Sequence, residues 1–126
     1  MITNLKAYLY HRGTDQALDD AYSTSTSFGL LKLGNGVLFW KTAFRWYCVA
    51  LSDAVRVYRR VEPVYGKLCC GGSSYDIESL VLVLKDGTEL ELLIGRNGIG
   101  NAIRKDAERL MMVLQEAHPE LQFGKP

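Results

Sequence analysis

Between Phe28 and Ile94 apolar and polar positions alternate with a period of two, in runs broken by turn residues. That is the signature of strands with one face toward a core. The first run is Phe28 to Leu33, a turn follows at Gly34-Asn35-Gly36, and the second is Val37 to Lys41. In the third, Phe44 to Ala50, the set Phe44, Trp46, Cys48 and Ala50 opposes Arg45, Tyr47 and Val49, which predicts a strand with one wet face. After a corner at Leu51-Ser52-Asp53-Ala54, Val55, Val57 and Val61 oppose Arg56, Tyr58, Arg60 and Glu62. Arg59 is the exception on the apolar side.

Pro63 to Ser74, with Cys69-Cys70-Gly71-Gly72 inside it, reads as a long loop, and Tyr75 to Leu84 as the next strand. Asp86-Gly87 then signals a hairpin to a partner strand, Glu89 to Ile94. Leu80 to Leu84 is apolar on both faces, whereas Glu89 and Glu91 alternate with Leu90 and Leu92. The former strand is therefore expected inside the sheet and the latter nearer an edge.

Two segments carry the helical period instead. Near the end, Ile103, Ala107, Leu110, Met111, Leu114 and Ala117 form one stripe, with Arg104, Lys105, Glu108 and Glu116 off it and Pro119 as the stop. At the start, Ile2, Leu5, Tyr8 and Leu9 followed by Gly13 suggest a short amphipathic helix, with a strand from Ala7 to Tyr10 as the alternative. Thr14 is placed to cap a further helical turn through Leu18 and Tyr22, ahead of a polar loop at Ser23 to Ser27. The pattern as a whole predicts an α+β chain in one domain. Residues 1-27 form a helical and loop segment, 28-94 a mostly antiparallel sheet, and 97-118 a closing helix that buries its stripe on the sheet.

Composition narrows the function classes. Fifteen basic against fourteen acidic residues give a formal charge of +1, so no global field draws in nucleic acid. Apolar runs such as Leu80 to Leu84 fall far short of the about 18 residues a membrane span needs, and Met1 to Tyr10 lacks the pattern of a secretory signal. A cytoplasmic location is the expectation. The three cysteines, Cys48, Cys69 and Cys70, fit neither a disulfide framework nor zinc-ligand spacing, so no metal is expected.

Three stretches, Gly36-Val37-Leu38-Phe39-Trp40-Lys41-Thr42, Arg45-Trp46-Tyr47-Cys48-Val49 and Leu51-Ser52-Asp53-Ala54-Val55, run as strand, strand and corner. With the closing helix and His118-Pro119-Glu120-Leu121-Gln122-Phe123-Gly124 after it, they resemble the pleckstrin-homology-like barrel, especially its small bacterial versions, over roughly residues 28 to 124. The resemblance implies a strongly bent, mostly antiparallel sheet capped by the C-terminal helix. It also implies a non-catalytic binding or scaffolding module with a protein partner and no cofactor, in which a homo-oligomer is admissible. Relatives that bind inositol phosphates carry basic residues around the first hairpin. Here Lys32 and Lys41 flank a turn that has none, so lipid binding is not carried over.

Several constellations bear on chemistry. Gly98-Ile99-Gly100-Asn101-Ala102-Ile103 looks like a dinucleotide-binding turn, but Ile103 replaces the third glycine and no parallel strand follows. An enzyme would need His11 or His118 beside a nucleophile, and no spacing ties either to one, so no catalytic residue is assigned. Asp19-Asp20 and Glu89 with Glu91 read as solvated charge. One patch stands out. If the corner at Leu51 to Ala54 is a hairpin, Arg45 faces Arg60 and Tyr47 faces Tyr58, with Arg56 on the same side. Arg45, Tyr47, Arg56, Tyr58 and Arg60 then form a basic, aromatic face for a protein. The alternative ligand is an anion such as a phospholipid headgroup or a nucleotide.

Overall fold

The alternating runs build two sheets rather than one. The computed structural model describes residues 9–13, 15–42, 44–65, 74–97 and 102–124. Sheet A contains β1 (Leu9–Tyr10), β2 (Thr26–Phe28), β3 (Leu31–Gly34), β4 (Val37–Thr42) and β5 (Arg45–Ala50). All its pairings are antiparallel, in the order β1-β5-β4-β3-β2. The predicted turn between β3 and β4 is present, with Asn35 and Gly36 at φ 48° and 74°, the pair of positive values that a two-residue hairpin needs. The expected single strand Phe28 to Leu33 is instead two strands, broken at Gly29. That residue has φ +59°, and a β-carbon there would collide with the Ile94 carbonyl oxygen. The polar loop expected up to Ser27 yields to β2 from Thr26 onward.

Sheet B contains β6 (Ala54–Tyr65), β7 (Ser74–Leu84), β8 (Glu89–Asn97) and β9 (Gln122–Phe123), in the order β8-β7-β6-β9. β7 lies inside and β8 at an edge, as their patterns predict. Gly87 supplies φ 90° in their hairpin. The loop predicted from Pro63 is strand at both ends, because Pro63 pairs with Asp76 and Val64 with Tyr75. Pro63 is tolerated because, among the described residues, β6 has no neighbour on its other side beyond Val57. Cys69 and Cys70 lie outside the described residues.

The corner at Leu51 to Ala54 is no hairpin either. A 3-10 turn at Leu51–Asp53 carries the chain from one sheet to the other, with Leu51 fully buried and its N–H bonded to Gly36 O at 2.8 Å. β5 pairs with β4 and β1, while β6 pairs with β7 and β9. The strongly bent, barrel-like sheet of the expectation is thus replaced by two open sheets of five and four strands.

Helix placement also differs. Leu9 and Tyr10 are strand, Met1 to Tyr8 lie outside the described residues, and the first helix, α1, spans Gln16–Ser23. Its cap is Asp15, whose carboxylate accepts from Ala17 N at 2.9 Å and Leu18 N at 3.4 Å. The capping role read for Thr14 falls on a residue outside the described ones. α1 covers the face of sheet A that carries Trp46 and Cys48, while Tyr47 and Val49 on the face of β5 expected to be wet are buried in the main core, so β5 is covered on both sides. Tyr10, Ala21, Phe39 and Cys48 bury together on the α1 side, with Leu18, Tyr22, Val37 and Trp46 around them. The approach is close, since a β-carbon at Gly34 would collide with the Ala21 carbonyl oxygen. Burial and a 2.7 Å hydrogen bond to Asp19 push the Tyr10 phenol up to about 12.

The opposite face of sheet A, the inner face of sheet B and helix α2 (Ala102–Ala117) enclose the main core. Ala107, Leu110 and Leu114 of the predicted stripe are fully buried, among Leu31, Leu38, Leu80, Leu82 and Ile94. α2 touches β6, β7 and β8 of one sheet and β2 of the other, so it spans both sheets instead of capping one.

Candidate functional site

A groove of about 570 Å³ lies between the C-terminal half of α2 and the β2–β3 hairpin. One wall is Thr24, Thr26 and Phe28, the other is Arg109, Met112 and Val113, and Leu33 to Gly36 run beneath. Its volume falls in the range of ligand sites, roughly 300–1,000 Å³. Polar contacts fix one end. Asp106 accepts from Gly29 N at 3.1 Å and from Arg109 at 2.9 Å, and the Arg109 guanidinium lies 5.0 Å from the centroid of the Phe28 ring. At the other end His118 stands 3.3 Å from Glu120, with Gly36 against its ring. Between them Met112 and Val113 remain 60% and 37% exposed.

Sequence reasoning passed over this groove. Its signal was present, because Met112 and Val113 are apolar residues on α2 that lie off the buried stripe. Nothing local, however, indicates that a hairpin more than seventy positions earlier in the chain forms the other wall, as the separation of 77 between Gly29 and Asp106 makes plain.

The five residues of the sequence-predicted face are divided by the break between the sheets. Tyr47 is buried in the main core and stacks on Trp40 at 5.8 Å, and Arg45 is exposed at the start of β5. Arg56, Tyr58 and Arg60 share the outer face of sheet B, opposite to the core residue Val57. There Arg56 donates to Gly124 O at 2.8 Å and Gln122 Oε1 at 2.6 Å, while Arg60 pairs with Glu91 at 2.9 Å. Arg45 does not face Arg60, and the convergent basic patch does not form. The cause is the 3-10 turn, which moves the chain to a new sheet where a hairpin would have folded it back.

No family model, curated protein or solved structure matches the chain.

Arg59, the exception in the β6 pattern, has a different role. On the inner side of sheet B its Nε and Nη2 donate to the two oxygens of Glu78 at 2.7 and 2.9 Å, and Glu78 is 1% exposed. Asn97 Nδ2 gives the same carboxylate a third bond at 3.1 Å, while Asn97 Oδ1 accepts from Arg104 N at the start of α2. The hydrogen bonds that Arg59 donates to Glu78 raise the Arg59 pKa against the opposing effect of burial. Among the described residues no buried side-chain polar atom lacks a partner, and this cluster acts as a brace joining β6, β7, β8 and α2.

Burial raises the Cys48 pKa, with the charge of Asp15 adding to the effect, so this thiol is held in its unreactive form. Among the described residues no group of three His, Cys, Asp or Glu side chains gathers as a metal site would require. No helix of the described residues is long and apolar enough to cross a membrane.

Proposed function

We propose that the chain is a non-catalytic binding module and that the groove between β2 and α2 takes an apolar stretch of a partner protein. The supporting observation is the exposure of Met112 and Val113 beside Phe28 on a concave surface. Apolar side chains left in water at such a place favour association. The resemblance of residues 28 to 124 to pleckstrin-homology-like domains of the small bacterial type points the same way.

The test is selection of short peptides from a random displayed library on the wild-type chain, followed by binding to Val113→Asp. Position 113 is exposed, so this variant should melt near the wild-type temperature. Peptides that bind the wild type and lose at least about tenfold on Val113→Asp, equivalent to about 1.4 kcal/mol, support the groove. Peptides that bind both chains equally would place the interface elsewhere.

A further inference from the structure

The backbone of β2 offers the groove more than an apolar wall. Phe28 and Leu31 flank the link Gly29-Leu30, and Thr26 pairs with Leu33. In an antiparallel ladder closed by a two-residue link, these pairs exchange backbone hydrogen bonds and the Ser27–Lys32 pair between them does not. Ser27 therefore turns its N–H and C=O away from β3. Gly29, of the same parity, does likewise, and its N–H is taken by Asp106. β2 is the end strand of sheet A, so the outward groups of Ser27 lie along its edge, and its neighbours Thr26 and Phe28 on the same strand line the groove. Asp106 closes the edge at the Gly29 end.

Charge specifies what fits there. Lys32 Nζ lies 3.2 Å from Ser27 Oγ and 5.6 Å from the centroid of the Tyr22 ring, and among the described residues it forms no ion pair with a carboxylate. A strand laid against β2 would place the side chain opposite Ser27 on this same face, within reach of that ammonium. The residues before and after it would point to the other face, toward Phe28, Met112 and Val113.

We propose that β2 accepts an extended peptide as an added strand, with an acidic side chain opposite Ser27 and an apolar one on either side of it. The proposal rests on the groove reading above and adds to it a main-chain register and a charge. Self-pairing of two copies through β2 is disfavoured, because it would bring two Lys32 ammonium groups together over one pair of Ser27 residues.

The probe is the acetylated, amidated peptide Ser-Val-Glu-Val-Ser, titrated by NMR against the full chain, together with the same peptide N-methylated at Glu and a version with Lys in place of Glu. The expected result is shifts at Met112 and Val113, protection of the Ser27 amide from exchange, and about tenfold weaker binding after N-methylation. Ser27→Pro should weaken binding to a similar degree. It removes an outward N–H without touching the β2–β3 ladder, and an unchanged melting temperature confirms that the variant is folded. Lys32→Glu should reverse the preference between the Glu and Lys peptides, by about two- to fivefold each way. If the N-methylated peptide binds equally and still shifts Met112 and Val113, strand addition is wrong and the groove reading survives. If the peptide shifts neither residue, strand addition falls, while the displayed library decides the groove separately. A chain that sediments as a dimer and becomes monomeric as Ser27→Pro would overturn the proposal in favour of self-pairing.

Discussion

Arg59 and Arg60 are neighbours on β6, the first bonded to Glu78 on the adjacent β7 and the second to Glu91 on β8 one strand further, yet the two pairs occupy opposite environments. Arg59 and Glu78 lie on the inner side of sheet B, with side chains 26% and 1% exposed, whereas Arg60 and Glu91 on the outer side are 45% and 47% exposed. In both pairs the shortest contact is below 3 Å, at 2.7 and 2.9 Å, so distance does not distinguish them. Burial does. A desolvated carboxylate depends on its partner, while one in water is solvated with or without it. The period of two places these outcomes at adjacent positions, and a contact's length says little about what its loss would cost.

The strongest way to break this comparison is Arg59→Leu. It leaves the Glu78 charge buried without its guanidinium, and about 3–5 kcal/mol of stability should be lost in denaturant unfolding. Adding Glu78→Leu should restore much of it, since the double variant removes the stranded charge. A loss below about 1 kcal/mol for the single change would mean that water already reaches Glu78. Asn97→Ala should come next, at about 1–3 kcal/mol. It takes one of the donors from Glu78 and an acceptor from the Arg104 N–H together. Arg60→Gln should be the smallest, within about 1 kcal/mol, and that loss should shrink further in high salt. A salt-independent loss as large as that of Arg59→Leu would erase the distinction between the two faces.

Legibility in the sequence followed the range of the interactions. The turns at Asn35-Gly36 and Asp86-Gly87, the buried stripe of α2 and the interior position of β7 are local patterns, and each appears where its residues place it. Arg59 stood out as a charge on an apolar face, but its partner is 19 residues away and the pattern did not identify it. The face of β5 with Arg45, Tyr47 and Val49 read as wet because of its charged first residue, and nothing local shows that a second sheet and α2 bury Tyr47 and Val49 while α1 covers Trp46 and Cys48 on the other side. The corner at Leu51 misled most. Its Ser and Asp resemble a turn, and only the complete burial of Leu51 reveals that the chain is crossing between sheets. The groove was hidden for the same reason, because its walls come from distant segments and neither reads as a site alone.

The pairing of β9 with β6 has a consequence in time. Arg56 reaches Gln122 and Gly124 across separations of 66 and 68 residues, and at the rate of protein synthesis, about 5–20 residues per second, that interval lasts on the order of several seconds. Throughout it the flank of β6 that Gln122 and Phe123 later cover has no strand partner among the described residues. A newly made molecule therefore passes through a stage in which this flank is open to pairing with a neighbouring copy. Crowded ribosomes on one message are the setting in which that hazard is greatest. Residues 122 to 124 thus protect the finished molecule, while the nascent one passes through synthesis without them.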